Sequence, residues 1–432
     1  MNYREALEYI HGTKKFGSKL GLHNISELLE LLGNPQNDLK FIHVAGTNGK
    51  GSTSSFIANI LIEGGYKVGL FTSPYLEVFN ERMRINNQDI SDDSLAKVTL
   101  AVKEKVDEML NKGMAHPTEF EIVTAIAMQY YKEEKADFVV LEVGLGGRYD
   151  STNVIKNSIA SVITTISMDH TDILGDTLGK IAYEKAGIIK DNGFAICYPQ
   201  DKEAEDVILE VAKEKNAKLT FVPTENLEVI ETTEFGSKFN FEYKNTKMSD
   251  LEIGLIGTHQ AQNAATALTA VLALRDEGYL SISDDAIRRG LKQTKWSGRL
   301  EVLRRNPTFL IDGAHNIQGI QALKKTVNSI FKYDKLILGV AILSDKDVDH
   351  MIEELVPIAD KIVVTEANIF RAMKAEDLAA KIEKYNNNII IESNIEKAVQ
   401  KTFEIANEND LIVFSGSLYL IGDVRTVVNK MN

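Results

Sequence analysis

Only one cysteine, Cys197, stands in the 432 residues, so no intramolecular disulfide can form, and a reducing compartment is expected. Long apolar runs are missing as well. No stretch approaches the ~20 uncharged apolar residues that a membrane-spanning helix needs. The opening residues, Met1-Asn2-Tyr3-Arg4-Glu5, intersperse charge and lack the apolar run of a secretory leader. Positive charge is in deficit: 49 basic against 62 acidic residues leave a net charge of −13. An acidic chain is a poor general binder of nucleic acid or membrane surfaces, although a local basic site can still take a small anion. Repeats and low-complexity tracts are absent. These absences point to a cytoplasmic protein.

Apolar residues make up 44% and charged residues 26% of the chain, ordinary for a globular protein. The length suggests two or three domains. Phe41-Ile42-His43-Val44-Ala45 reads as a buried strand that ends in a glycine-rich turn, and Thr53 to Ile62 as a helix. Lys67 to Phe71, Phe138 to Val143 and Ile159 to Ile166 read as further strands, and Glu119 to Lys132 as a helix. Apolar strands alternating with helices predict a parallel sheet covered on both faces. Residues 217–256 differ. Lys238 to Tyr243 alternates polar and apolar between Gly236 and Asn245, which suits a small antiparallel sheet added to the first domain. The Ala-rich run Thr258 to Arg275 reads as a helix. Lys295-Trp296-Ser297-Gly298-Arg299 is the expected hinge. Beyond it Phe309 to Ile311, Lys335 to Val340, Lys361 to Thr365, Ile389 to Ile391 and Leu411 to Phe414 alternate with helical patterns. The fold class is therefore α/β with two doubly wound domains. The first, 1–296, is a large P-loop ATPase-like domain carrying the small antiparallel sheet, and the second, 297–432, is smaller and Rossmann-like.

The strongest chemical signal is Gly46-Thr47-Asn48-Gly49-Lys50-Gly51-Ser52, between a strand and a helix. Gly49 and Gly51 let backbone N–H groups approach phosphate oxygens, and the helix N-terminus favours the anion. Lys50 supplies a point charge for the β- and γ-phosphates, and a hydroxyl from Ser52 or Thr53 suits Mg²⁺. The spelling departs from the common G-x-x-x-x-G-K-[ST], because Gly51 separates the lysine from the serine.

This loop resembles that of the Mur ligase superfamily, and its Lys50-Gly51-Ser52 ending is similar to the folylpolyglutamate synthase and dihydrofolate synthase branch. The likeness runs over nearly the whole chain. Thr72-Ser73-Pro74-Tyr75-Leu76 with Phe79-Asn80-Glu81-Arg82 resembles the branch's Ω-loop, and Glu142 to Asn153 its second signature. Asp169-His170-Thr171, Glu184-Lys185-Ala186-Gly187, His259-Gln260-Ala261-Gln262-Asn263, Trp296-Ser297-Gly298-Arg299 and Asp312-Gly313-Ala314-His315-Asn316 follow in the family's order.

The resemblance implies a ligase that uses ATP and Mg²⁺ to join L-glutamate to a folate or to dihydropteroate through an acyl phosphate. It implies Ser73, Glu142 and His170 as Mg²⁺ ligands, Lys185 as a carbamylated lysine, and Asn263, Arg299 and Asp312 around ATP. His315, close behind, is expected at the glutamate or the transferred phosphoryl group. The pterin site maps onto Leu20-Gly21-Leu22-His23, Thr118-Glu119-Phe120-Glu121 and Tyr149-Asp150-Ser151. On residue type alone, plainer roles stand beside these. Glu142 is also a salt-bridged structural glutamate, Lys185 a solvated lysine, His170 a surface or core histidine, and Arg299 a linker charge. Phe120 and Tyr149 are also ordinary core aromatics. A cell-wall precursor ligase and a nucleotide switch without ligation remain the rival functions. A monomer is expected, since catalysis needs only an intramolecular cleft.

Overall fold

The computed structural model describes residues 1–17, 21–156 and 158–431. Three sheets organise it. Eight strands form the largest: β1 (Phe41–Ala45), β2 (Val68–Phe71), β3 (Met83–Ile85), β4 (Gln88–Asp89), β5 (Phe138–Glu142), β6 (Ser158–Ile163), β7 (Phe194–Cys197) and β8 (Lys218–Phe221). Their order is β4-β3-β2-β5-β1-β6-β7-β8, parallel from β2 through β8. Alternate side chains feed two cores. Ile42, Val44 and Val140 enter one, while Phe41, Val139 and Leu141 enter the other. Strands buried on both faces must be apolar at every position, which is why β1 and β5 read as continuous runs.

Two helices press on one face of this sheet. Lys50–Glu63 buries every residue from Gly51 to Leu61, and Thr258–Asp276 buries nearly all of Gln260 to Leu274. A helix apolar all round belongs inside a protein. The lack of a polar face on both segments is therefore the mark of a central position, and the two share one core.

Strands β9 (Leu227–Thr233), β10 (Gly236–Tyr243) and β11 (Thr246–Ile253) make the small antiparallel sheet. Lys218–Phe221, taken from sequence into that small sheet, instead pairs in parallel with β7 as the edge of the large one. Lys218-Leu219-Thr220-Phe221 alternates polar and apolar in sequence as a hairpin strand does, although only Lys218 is exposed and the other three are half-buried, so the sequence pattern does not separate the two. Strand β6 also stops at Ile163, short of the expected Ile166.

The second domain is a six-stranded sheet ordered β12-β13-β17-β14-β15-β16. Its strands are β12 (Glu301–Arg304), β13 (Thr308–Ile311), β14 (Leu336–Val340), β15 (Lys361–Val364), β16 (Ile389–Ile391) and β17 (Leu411–Ser415), all parallel except β12. It too feeds a core on each face. The carboxyl ends of β1, β2, β5 and β6 lie across a cleft from those of β13, β14, β15 and β17, where open α/β sheets place ligands. Among the described residues, no helix is long and apolar enough to cross a membrane.

Candidate active site in the interdomain cleft

The phosphate loop leaves β1 at Gly46 and is held from β6. Thr47 N–H donates to the Thr165 carbonyl at 2.7 Å, and the Thr164 hydroxyl donates to the Asn48 carbonyl at 2.7 Å. Gly49 caps the following helix with φ +86°, and a Cβ there would stand 2.4 Å from the Asn263 amide oxygen. Only glycine meets both demands. Gly51 has a different reason. A Cβ on it would lie 2.8 Å from the Trp296 ring, so the residue that breaks the common motif is the seat for the hinge tryptophan.

Lys50 Nζ donates to the carbonyls of Gly46 and Thr47, both at 3.1 Å, folding back over its own loop. Burial lowers its pKa, and the carboxylates of Glu142 and Asp169 pull it partly back. Glu142 ends β5, buried, with one oxygen accepting the Ser73 N–H at 3.3 Å. Burial raises its pKa, and Lys50 is the largest charge opposing that rise. Lys185 is buried, so the solvated reading of this residue is overturned. Its amine donates to the Gly46 carbonyl at 2.8 Å, and burial, followed by the charge of Lys50, brings its pKa to about 7.

The second domain closes the other wall. Asp312 follows β13 and accepts from Leu300 N–H and Ala314 N–H, each at 2.9 Å. Burial raises its pKa against the pull of Arg299. Arg299 lines the cleft beneath Gly313, which removes its reading as a linker surface charge. His315 Nδ1 lies 2.8 Å from the Gly313 carbonyl. A carbonyl only accepts, so Nδ1 carries the hydrogen and Nε2 the lone pair. Burial and Lys346 hold this imidazole down to about 4, so it is neutral at physiological pH.

One cleft of about 530 Å³ collects Gly49, Lys50, Gly51, Ser52, Ser73, Glu142, His170, Lys185, Asn263, Arg299, Asp312 and His315. His170 sits at φ +51°, its Nε2 3.9 Å from an Asp169 oxygen. Among the described residues, no three His, Cys, Asp or Glu side chains gather as a ready metal cage. The oxygens of Glu142 and Ser73 are hard donors beside a phosphate loop, which fits Mg²⁺, an ion that keeps waters and takes few protein ligands.

The pterin-site residues lie outside that cleft's lining. Leu20 falls outside the described residues. Gly21 and Leu22 precede the His23–Leu31 helix, and Leu22 packs on the first domain's second core. Glu121 and Thr118 form a capping box, with Thr118 N–H donating to Glu121 at 2.7 Å. Glu119 pairs with His11 at 2.9 Å. Asp150 accepts from Leu145 N–H at 2.9 Å and Thr152 N–H at 3.0 Å, which orders the 144–152 loop, and Ser151 is buried beside it. Phe120 is half-buried at the edge of Phe71, whereas Tyr149 is 48% exposed and so is no core aromatic.

Sequence reasoning named no role for Asp169, His259, Gln318, Lys346, Arg371 or Tyr419, all of which line the cleft. Asp169 and Lys346 pair across it at 2.7 Å, their side chains 11% and 8% exposed. Asn48 joins the same network, donating to Gln318 and exchanging hydrogen bonds with Asn316. Asp169 and His259 each open a family-like string, Asp169-His170-Thr171 and His259-Gln260-Ala261-Gln262-Asn263. For Lys346, Arg371 and Tyr419 the one available signal is their place after the carboxyl end of a parallel strand.

Known proteins match both walls of this cleft. The family model described as Mur ligase middle domain matches residues 44–271, and the one described as Mur ligase, glutamate ligase domain matches 298–418. The chain is 39% identical over 427 residues to the dihydrofolate synthase/folylpolyglutamate synthase of Bacillus subtilis (strain 168), covering 98% of each. Folylpolyglutamate synthase of Mycobacterium tuberculosis complexed with ADP superposes with a TM-score of 0.91 at 30% identity, covering 99% of both chains. E. coli FolC in complex with DHPP and ADP gives 0.88 at 29%, covering 100% of this chain and 98% of that one. The chain belongs to the folylpolyglutamate synthase/dihydrofolate synthase family of Mur ligases.

Proposed function

We propose that this chain uses ATP to add L-glutamate to tetrahydrofolate and its polyglutamates, releasing ADP and phosphate. The observation that carries this reading is the single cleft in which Lys50, Glu142 and Lys185 from the first domain meet Arg299, Asp312 and His315 from the second. A carboxylate oxygen of the acceptor attacks the γ-phosphorus, and ADP leaves. The glutamate amine then attacks the acyl carbon, phosphate leaves, and the amine loses a proton. Such transfers depend on positioning and charge neutralisation.

Lys50 and Arg299 take the phosphate charge, with Gly49, Gly51 and Ser52 lining the phosphate path. Asn263 and Asp312 hold the nucleoside end. Glu142 and Ser73, with His170 beside them, would hold Mg²⁺, which neutralises phosphate charge. The lone pair on Nε2 of neutral His315 accepts the amine proton. Lys185, half neutral near pH 7, is poised to add CO₂, giving a carbamate and one proton and so turning a cation into an anion beside the loop. Closure of the cleft keeps water from the acyl phosphate. Gly21, Leu22, Thr118, Glu119, Phe120, Glu121, Tyr149, Asp150 and Ser151 form the wall for the flat pterin ring, with Phe120 and Tyr149 stacking on it. We place the domain boundary between Trp296 and Ser297, and the enzyme in the cytoplasm as a monomer.

Dihydropteroate is the second acceptor, a reading favoured by the paired name of the B. subtilis relative. The test is ADP release with Mg²⁺-ATP and L-glutamate, adding tetrahydrofolate or dihydropteroate in turn. Stimulation by tetrahydrofolate alone assigns chain extension, and stimulation by both assigns a bifunctional enzyme. Stimulation by neither overturns the proposal.

A further inference from the structure

The loop 72–82 between β2 and β3 begins at the cleft, where Ser73 and Pro74 line it, and then crosses to the second domain. Leu76 packs into the core formed by β13, β17 and the last helix, Leu418–Lys430. The fit is close. A Cβ on Gly422 of that helix would stand 2.0 Å from the Leu76 carbonyl oxygen. The next residue, Glu77, accepts from the Thr426 hydroxyl at 2.7 Å and pairs with the Nη1 of Arg425. The same guanidinium places its Nε 3.0 and 3.2 Å from the two oxygens of Glu301 on β12. Glu301 in turn accepts the Gly298 N–H at 2.7 Å, the residue just before Arg299. Gly298 itself is wedged between Ile421 and Leu76.

One guanidinium thus ties three segments, and each of them carries a cleft residue a few positions away. The loop carries Ser73 and Pro74, the hinge carries Arg299, and the last helix starts with Leu418 and Tyr419. Glu77, Arg425 and Glu301 do not line the cleft. Arginine suits such a joint because its rigid planar fork offers separate N–H groups to two carboxylates at once. The three side chains are 22–24% exposed, so water screens them only in part.

We propose that Glu77, Arg425 and Glu301 form a positioning joint that fixes the angle between the domains and so sets Ser73 and Arg299 on facing sides of the phosphate path. The joint touches no reactant and acts through those two residues. It rests on the ligase reading above for its effect on turnover, but not for its effect on domain angle.

The test is a double-mutant cycle in the full chain, with Glu77→Gln, Arg425→Gln and the pair. ADP release is measured with tetrahydrofolate as acceptor. Domain separation is measured by energy transfer between dyes on Glu214→Cys and Lys384→Cys, with saturating ADP. Cys197 is buried and stays unlabelled. Each single change should lower kcat about tenfold and raise the KM for ATP less than about threefold, and the pair should be no slower than the worse single. Arg425→Lys, which can reach one carboxylate at a time, should recover part of the loss. The dye separation should widen in both singles. Unchanged kcat and separation, or losses that multiply in the pair, would overturn the joint. If the parent chain shows no folate-stimulated ADP release, the ligase reading is what has failed. The dye separation then decides the joint alone: widening supports it and no change overturns it.

Discussion

Lys185 concentrates the residue-scale chemistry. A free lysine side chain titrates near 10.4, whereas burial and Lys50 bring this one to about 7 in the folded chain. The sign follows. Between those two values the unfolded chain binds more protons, so this group makes stability rise with pH across that window. The neutral amine is the form that adds CO₂, and its population also grows as pH rises through about 7. Turnover should therefore fall on the acid side with a midpoint near pH 7, and Lys185→Arg, which stays cationic, should remove it. Labelled ¹³C-carbonate should give a carbamate NMR signal in the parent chain and none in Lys185→Arg. If the signal is absent in both, carbamylation is excluded. Lys50 is the second case. Its ammonium is the charge nearest the expected phosphate path, and Lys50→Ala should lower kcat by about 10²–10³, the scale of losing one preorganised charge contact. Steady-state ADP release reads this directly, and undiminished turnover would exclude the role.

Elements explain which parts of this site were legible beforehand. Strands β1 and β5 are short continuous apolar runs, the small hairpin strand β10 alternates, and the Lys50–Glu63 helix is marked by the glycine-rich turn before it, so each is named by local sequence. Strand β8 is not separable from the small sheet by sequence, because its polar–apolar alternation is that of a hairpin strand. The phosphate loop was legible from glycine spacing, but the reason for Gly51 was not, since Trp296 lies about 245 residues on and meets it only in the fold. Gly51→Ala should push that ring aside and raise the KM for ATP more than it changes folate KM, and an unchanged ATP KM would show that the ring moves freely. The pterin assignments carry a sharper lesson. Glu121 closes a capping box with Thr118, a task that glutamine performs equally well. Glu121→Ala should therefore cost about 1 kcal/mol of stability, whereas Glu121→Gln should cost almost none. If Glu121 also accepts from a pterin amino group, Glu121→Gln should still raise folate KM. Calorimetry paired with kinetics separates the cap from the ligand contact.

At the scale of the whole molecule, the site exists only because two sheets present their carboxyl ends to one another, and the contacts that hold them so join residues far apart in sequence. No local pattern marks Asp169 and Lys346 as partners, yet their largely covered side chains meet across the cleft at 2.7 Å. Burial alone would raise the Asp169 pKa, but the charge and hydrogen bond of Lys346 override it and hold the carboxyl well below the usual range. A depressed carboxylate contributes stability above its unfolded value, near 3.9, and loses it as pH falls toward the folded one. Lys346→Met keeps the apolar stem and removes the charge, leaving Asp169 buried without its main partner. Breaking a buried pair on one side costs about 3–5 kcal/mol. The unfolded carboxyl is common to both chains and cancels, so the difference in unfolding free energy between parent and Lys346→Met should be largest near neutral pH and shrink as pH falls to about 4 and below, where Asp169 of the folded variant, raised by burial without its partner, takes up a proton that the parent carboxylate still refuses. Urea titrations at stepped pH measure it. A difference that stays level through pH 3 would mean that the loss comes from packing of the lysine stem and that the domains are held by the Asn48, Asn316 and Gln318 amide contacts instead.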